Sequence, residues 1–118
     1  MTVVSDNPET LDGLESYFSS AGVGVHTTRR MASSDIPPSS SAVVFFPDDF
    51  QASEVLEAVA RLRRARPAVL PILVTRDPRR FEGIADARGK GPAPIVLPKP
   101  AWGWTLLDAI RGQRDTPH

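Results

Sequence analysis

Apolar residues along this chain follow two alternating rhythms. Short β-type runs recur between segments whose apolar residues return every three or four positions, the spacing of a helix lying on a core. The first run, Thr2-Val3-Val4-Ser5, begins directly after Met1. It gives way to Asp6-Asn7-Pro8-Glu9, which reads as a helix start: Asn7 can cap, Pro8 suits the first turn, and Glu9 sits near the positive end of the dipole. Leu11, Leu14, Phe18 and Ala21 then recur at helical spacing with Tyr17 beside them, and Gly22 ends the helix. Gly22 to Thr28 supplies a second, weaker strand. Arg29 to Ser41 is serine-rich and contains Pro37-Pro38, so any helix there is short and ends before Ile36.

Ala42-Val43-Val44-Phe45-Phe46 is apolar throughout, the pattern of a strand covered on both faces, and Pro47-Asp48-Asp49-Phe50 breaks it. A helix is predicted from about Ser53, with Val55, Leu56, Val59 and Leu62 on its apolar face and Pro67 closing it. Leu70 to Thr75 forms the fourth strand, its Pro71 near the start, where a missing donor does least harm. A short helix over Arg79 to Ala87 and a Gly89-Lys90-Gly91-Pro92 loop lead to a fifth strand, Pro94 to Pro98. The last helix spans about Trp102 to Arg111, with Trp104, Leu107 and Ile110 facing inward. Five alternations of strand and helix, with strands three to five apolar throughout, predict an α/β fold: a parallel sheet with helices on both faces. In such sheets ligands gather beyond the carboxyl ends of the strands, here Ser5-Asp6, Phe46-Pro47-Asp48, Thr75-Arg76 and Lys99-Pro100.

The length of 118 residues suits one domain, expected over 1–112, with 113–118 as a flexible tail. There are no cysteines, which excludes disulfides, thiolate metal sites and cysteine nucleophiles; two histidines, His26 and His118, give little support to a zinc site or a histidine-based triad. No apolar run approaches the ~20 residues that span a bilayer. Acidic residues follow Met1 almost at once, unlike a signal peptide, so the expected location is the cytoplasm. Net charge is zero but polarised. Met1 to Glu57 carries nine acidic and two basic residues, Ala58 to His118 five acidic and twelve basic. No aromatic residue interleaves with the arginines to stack bases, so these charges read as a solvated surface rather than a nucleic-acid site.

Three ordered features then acquire a joint meaning: the acidic position in Val3-Val4-Ser5-Asp6-Asn7-Pro8-Glu9, the hydroxyl ending Ile72-Leu73-Val74-Thr75, and the Lys-Pro pair in Val96-Leu97-Pro98-Lys99-Pro100. Each follows the strand where the response-regulator receiver family of two-component signalling has it, and over nearly its whole length the chain resembles that family. The resemblance implies a single flavodoxin-like (βα)5 domain with strand order 2-1-3-4-5. It also implies a site in which two acids after strand one hold magnesium, an aspartate ending strand three accepts phosphate, and the hydroxyl and lysine contact the phosphoryl group.

The sequence departs from that pattern at two positions. Ser5 stands where the first acid is expected, leaving Asp6 alone, and the third strand delivers Phe46, or with a one-residue slip Pro47, to the acceptor position. Neither forms an acyl phosphate. The expectation is a vestigial pocket of Asp6, Phe46, Asp48, Thr75 and Lys99, with Phe46 filling the space of the phosphate, no catalytic residue and no cofactor. Structural roles for the retained residues compete with this: Thr75 and Asp6 as turn or helix caps, and Lys99 paired with Asp6 or Asp48. The alternative is a phosphoacceptor that uses Asp48 or Asp49, with Asp6 and Asp48 as magnesium ligands. Val96 replaces the aromatic residue expected three positions before Lys99, so the family's two-state coupling lacks its parts and a single locked conformation is expected. What remains is a docking module. It would bind a protein partner of a bacterial signalling pathway, or a second copy, through the face around the fourth helix, fifth strand and fifth helix, where Trp102, Trp104, Arg76 and Arg79 are candidate contacts. A nucleotide- or flavin-binding role is disfavoured because Ser5 to Thr10 lacks the glycines that let a backbone wrap phosphate.

Overall fold

The longest apolar runs form strands, and the short first strand pairs on both sides within the sheet. In the computed structural model, which describes residues 1–29, 40–66, 68–81, 94–98 and 103–115, β1 is Thr2–Val4, β2 His26–Thr28, β3 Ala42–Phe45, β4 Leu70–Thr75 and β5 Ile95–Pro98. All pairings are parallel, in the order β2-β1-β3-β4-β5. Among the described residues three α-helices accompany them: α1 over Pro8–Ser20, α2 over Ala52–Ala65 and α3 over Gly103–Asp115.

The start of α1 is as its residues dictate. The Asn7 side chain accepts from the N–H groups of Glu9 (3.0 Å) and Thr10 (3.4 Å), satisfying donors that have no partner within the helix. At its far end Gly22 takes φ +79°, a left-handed turn that favours glycine.

Neighbouring side chains of a strand point to opposite sides, so the residues of β1, β3 and β4 sort into two apolar clusters. One joins Val3, Val44, Ile72 and Val74 to Leu11 and Phe18 of α1 and Leu106, Leu107 and Ile110 of α3. The other joins Val4, Val43, Phe45 and Leu73 to Val55, Val59 and Leu62 of α2 and to Phe81.

Several expectations change in detail. The second strand covers only His26–Thr28 of the predicted Gly22–Thr28, because it lies at the sheet edge, is only half covered, and pairs on one side alone. Of the helix expected over Arg79 to Ala87, only the start is described, within a 3-10 turn, Pro78–Phe81, whose Phe81 is drawn into the core; positions 82–93 lie outside the described residues. Leu56 is 40 % exposed, since the buried arc of α2 runs through Val55, Val59 and Leu62 and leaves Leu56 on its flank. Trp104 does not face inward: the buried arc of α3 is Leu106, Leu107 and Ile110, and Trp104 stands beside it, 53 % exposed, on the flank of Asp108. α3 also continues past Gly112.

Helices α1 and α3 meet at a glycine. A Cβ on Gly103 would lie 2.4 Å from Cδ1 and 2.7 Å from Cγ of Tyr17, far inside contact distance. The ring, 36 % exposed, also packs edge-on against Phe18 with centroids 5.6 Å apart, so displacing it costs that contact. Gly103→Ala is therefore expected to cost about 1–3 kcal/mol through overpacking, read as a lower urea midpoint. In the Tyr17→Ala background the same substitution should cost little. Two losses that simply add would show that the contact does not matter.

Candidate functional site

The register β1–β3–β4, with Val4 beside Phe45 and Phe45 beside Leu73, brings three strand ends to one edge of the sheet. There stand Ser5-Asp6 after β1, Phe46 to Asp48 after β3, and Thr75, the last residue of β4, with Arg76 after it.

Ser5 is fully buried, and its Oγ accepts the N–H of Asn7 at 3.1 Å. Where the resemblance has its first acid, the chain has a hydroxyl folded back on its own backbone to shape the entry of α1. Asp6 leans toward β2. Its Oδ1 accepts from Arg29 Nη2 at 3.0 Å and Nε at 3.2 Å, and its carbonyl accepts from Nη2 at 3.4 Å. Both side chains are more than half exposed, so the pair contributes little to stability.

The Phe46 N–H continues the ladder to the carbonyl of Val4 at 3.2 Å, and the ring is 6 % exposed in the cluster shared with α1 and α3. Pro47, with its fixed φ, then opens a 3-10 turn, Pro47–Asp49, closed by the Phe50 N–H on the Pro47 carbonyl at 3.1 Å. That turn carries Asp48 over the end of β4. Thr75 Oγ1, fully buried, donates to Asp48 Oδ1 at 2.7 Å, while the Arg76 N–H donates to Oδ2 at 2.9 Å. Arg76 Nε stands 3.6 Å from the same Oδ2, and the Asp48 side chain is only 16 % exposed. Thr75 Oγ1 in turn accepts the N–H of Asp77 at 3.1 Å, so the hydroxyl is engaged as donor and as acceptor. Charge-assisted bonds of this kind are the stronger sort.

Asp48, Thr75 and Arg76 are thus brought together, and Asp6 and Phe46 are turned elsewhere. Asp6 is paired on the β2 side and Asp48 on the β4 side. Among the described residues no three acidic or histidine side chains gather about one point. A divalent cation of the magnesium type needs several oxygens around one centre, more than Asp6 and Asp48 by themselves supply among the described residues. Asp49 lies in the same turn as Asp48. Lys99, Pro100 and Trp102 lie outside the described residues. Val96 is half buried against the cluster that includes Phe81. Arg76, Arg79 and Arg80 are exposed around the Pro78–Phe81 turn, and Trp104 lies beside Gly103 and its Tyr17 contact. Sequence reasoning missed Arg29 as the partner of Asp6. Its signal was only that it follows the second strand, and β1–β2 register (Val4 beside Thr28) is what sets it level with the end of β1.

No protein-family model matches the chain, and no curated protein matches it. Two solved structures do. The receiver domain of DrrB in its BeF3-activated form is 20 % identical, with a TM-score of 0.68, covering 98 % of this chain and 96 % of that one. The non-phosphorylated receiver domain of HemR from Leptospira biflexa is 13 % identical, with a TM-score of 0.71, covering 99 % of this chain and 94 % of that one. Over nearly its whole length the chain has the fold of response-regulator receiver domains.

Proposed function

We propose that the domain serves two-component signalling as a receiver-like docking module that works without phosphorylation, as a non-enzymatic cytoplasmic protein with no cofactor. The observation that carries this reading is the end of β3. An apolar ring packs into the core there, and the first carboxylate beyond it, Asp48, already has both oxygens held by Thr75 and Arg76. An acyl phosphate needs a carboxylate oxygen free to attack in line, with the donor positioned to about 1 Å, and a divalent cation beside it. Two apolar clusters, one with α1 and α3 and one with α2, support a sheet covered on both faces. A protein partner, or a second copy, would be met through the surface around β5 and α3, where Trp104 is exposed, together with Arg76 and Arg79; Trp102 belongs to the same proposal. Neither nucleic acid nor membrane is part of it, and among the described residues no helix is long and apolar enough to cross a membrane.

One observation favours the alternative of a phosphoacceptor at Asp48 with magnesium. Asp48, and not Phe46, is the group beside Thr75. A single experiment separates the two readings. After incubation with acetyl phosphate and magnesium, or with beryllofluoride and magnesium, the intact mass and the amide spectrum should be unchanged. A stoichiometric phosphoryl adduct on Asp48 or Asp49 would establish the alternative.

A further inference from the structure

Three donors belonging to two consecutive residues converge on one carboxylate at the end of β4. They are the Thr75 hydroxyl at 2.7 Å from Oδ1, the Arg76 backbone N–H at 2.9 Å from Oδ2, and Arg76 Nε at 3.6 Å from Oδ2. The Asp77 N–H bonds Thr75 Oγ1 from the other side at 3.1 Å, which leaves the hydroxyl proton to point at the carboxylate. The Thr75 hydroxyl and the Arg76 N–H therefore each serve a different oxygen of the same group, the arrangement that recognises an oxyanion. Thr75 is fully buried and the Asp48 side chain largely so, and the third donor adds positive charge.

We propose that this strand end is an oxyanion cradle whose resident ligand is Asp48, supplied from within and closing the cradle to carboxylate or phosphate from solution. The proposal rests on the phosphorylation-independent reading and adds how that independence is enforced. A ligand tethered by a turn of a few residues is present at a high effective concentration, so a free anion competes poorly with it. The same contact ties the Pro47–Asp49 turn to the Thr75–Arg76 step, which sets the start of the segment carrying Arg76, Arg79 and Arg80 with no external signal.

The inference predicts that removing the resident ligand opens a binding site. Asp48→Ala should acquire saturable shifts of the Arg76 and Asp77 amides when titrated with sodium acetate, and likewise with inorganic phosphate, at constant ionic strength. Its affinity should be at least about tenfold higher than that of wild type, the order expected for hydrogen bonds to a charged group. Adding Thr75→Val to Asp48→Ala should abolish the response. No saturable shift in a folded Asp48→Ala protein overturns the proposal, as does an equal response in wild type or in the double variant, the signature of an adventitious anion only. Should Asp48→Ala not fold, Asp48→Asn decides instead. It keeps an acceptor for Thr75 and removes the negative charge beside Arg76, so the Arg76 amide should move upfield and exchange its hydrogen at least about tenfold faster; an unchanged amide overturns the cradle. An unmodified wild type together with an empty Asp48→Ala cradle sinks this inference and leaves the docking reading standing. A phosphorylated wild type sinks the docking reading, and the cradle is then judged on the Asp48→Ala arm.

Discussion

Phe46→Asp is expected to unfold the domain rather than to give it a phosphate acceptor. Phe46 is 6 % exposed and packs in the cluster formed by Leu11, Phe18, Leu106 and Leu107 with alternate residues of the sheet. Truncating a buried phenylalanine costs about 3–5 kcal/mol. Placing a carboxylate among the same hydrocarbon adds the cost of a buried charge, or of the proton needed to neutralise it. A domain of this size has about 5–15 kcal/mol in total. Urea unfolding followed by circular dichroism should show Phe46→Asp largely unfolded in buffer, whereas Phe46→Leu, which keeps an apolar side chain, should lose less than about 2 kcal/mol. A Phe46→Asp protein that stays within about 1 kcal/mol of the parent and takes up a phosphoryl group from acetyl phosphate would contradict both the packing and the docking reading.

Phe81→Ala should have the next largest effect, about 3–5 kcal/mol. The residue is 2 % exposed and is held among Val55, Val59, Leu62 and Leu73, although it belongs to a turn and not to a regular helix. It is the apolar anchor of the segment that displays Arg79 and Arg80 on the surface. Those two arginines are exposed, so Arg79→Ala and Arg80→Ala should each stay within about 0.5 kcal/mol of the parent. The contrast between neighbouring positions is the test: chemical denaturation of the three variants side by side should separate Phe81→Ala widely from the others. If all three fall together, the turn is not anchored by its aromatic ring.

Much of the fold was legible along the chain because the signals were local. Continuous apolar runs placed β3 and β4 to within a residue, and Asn7, Pro8 and Gly22 marked both ends of α1 through capping chemistry that needs no distant partner. The order β2-β1-β3-β4-β5 came from the family resemblance, and the sheet has it. Exposure on the flank of a helix was less legible. Leu56 and Trp104 are apolar and near the buried arcs, but which flank a helix presents depends on its roll against the sheet, and hydrophobicity alone does not specify that roll.

The candidate site was legible as a set of residue types and not as an arrangement. Asp6 and Asp48 sit beyond strand ends and Thr75 is the last residue of β4, as their positions in the sequence require. Nothing local says that Asp6 turns to Arg29, that Phe46 turns into the core, or that Asp48 crosses to Thr75 and Arg76.

By itself, the amino-acid sequence determined the bounds of α1, β3 and β4 to within a residue or so and which acids, hydroxyls and arginines stand at the strand ends, because periodicity, caps and prolines act over a few residues. The tertiary structure alone decided which of those side chains meet. Parallel register pairs residues far apart in the chain, and a turn of one 3-10 step carries a carboxylate from the end of one strand to the hydroxyl of the next.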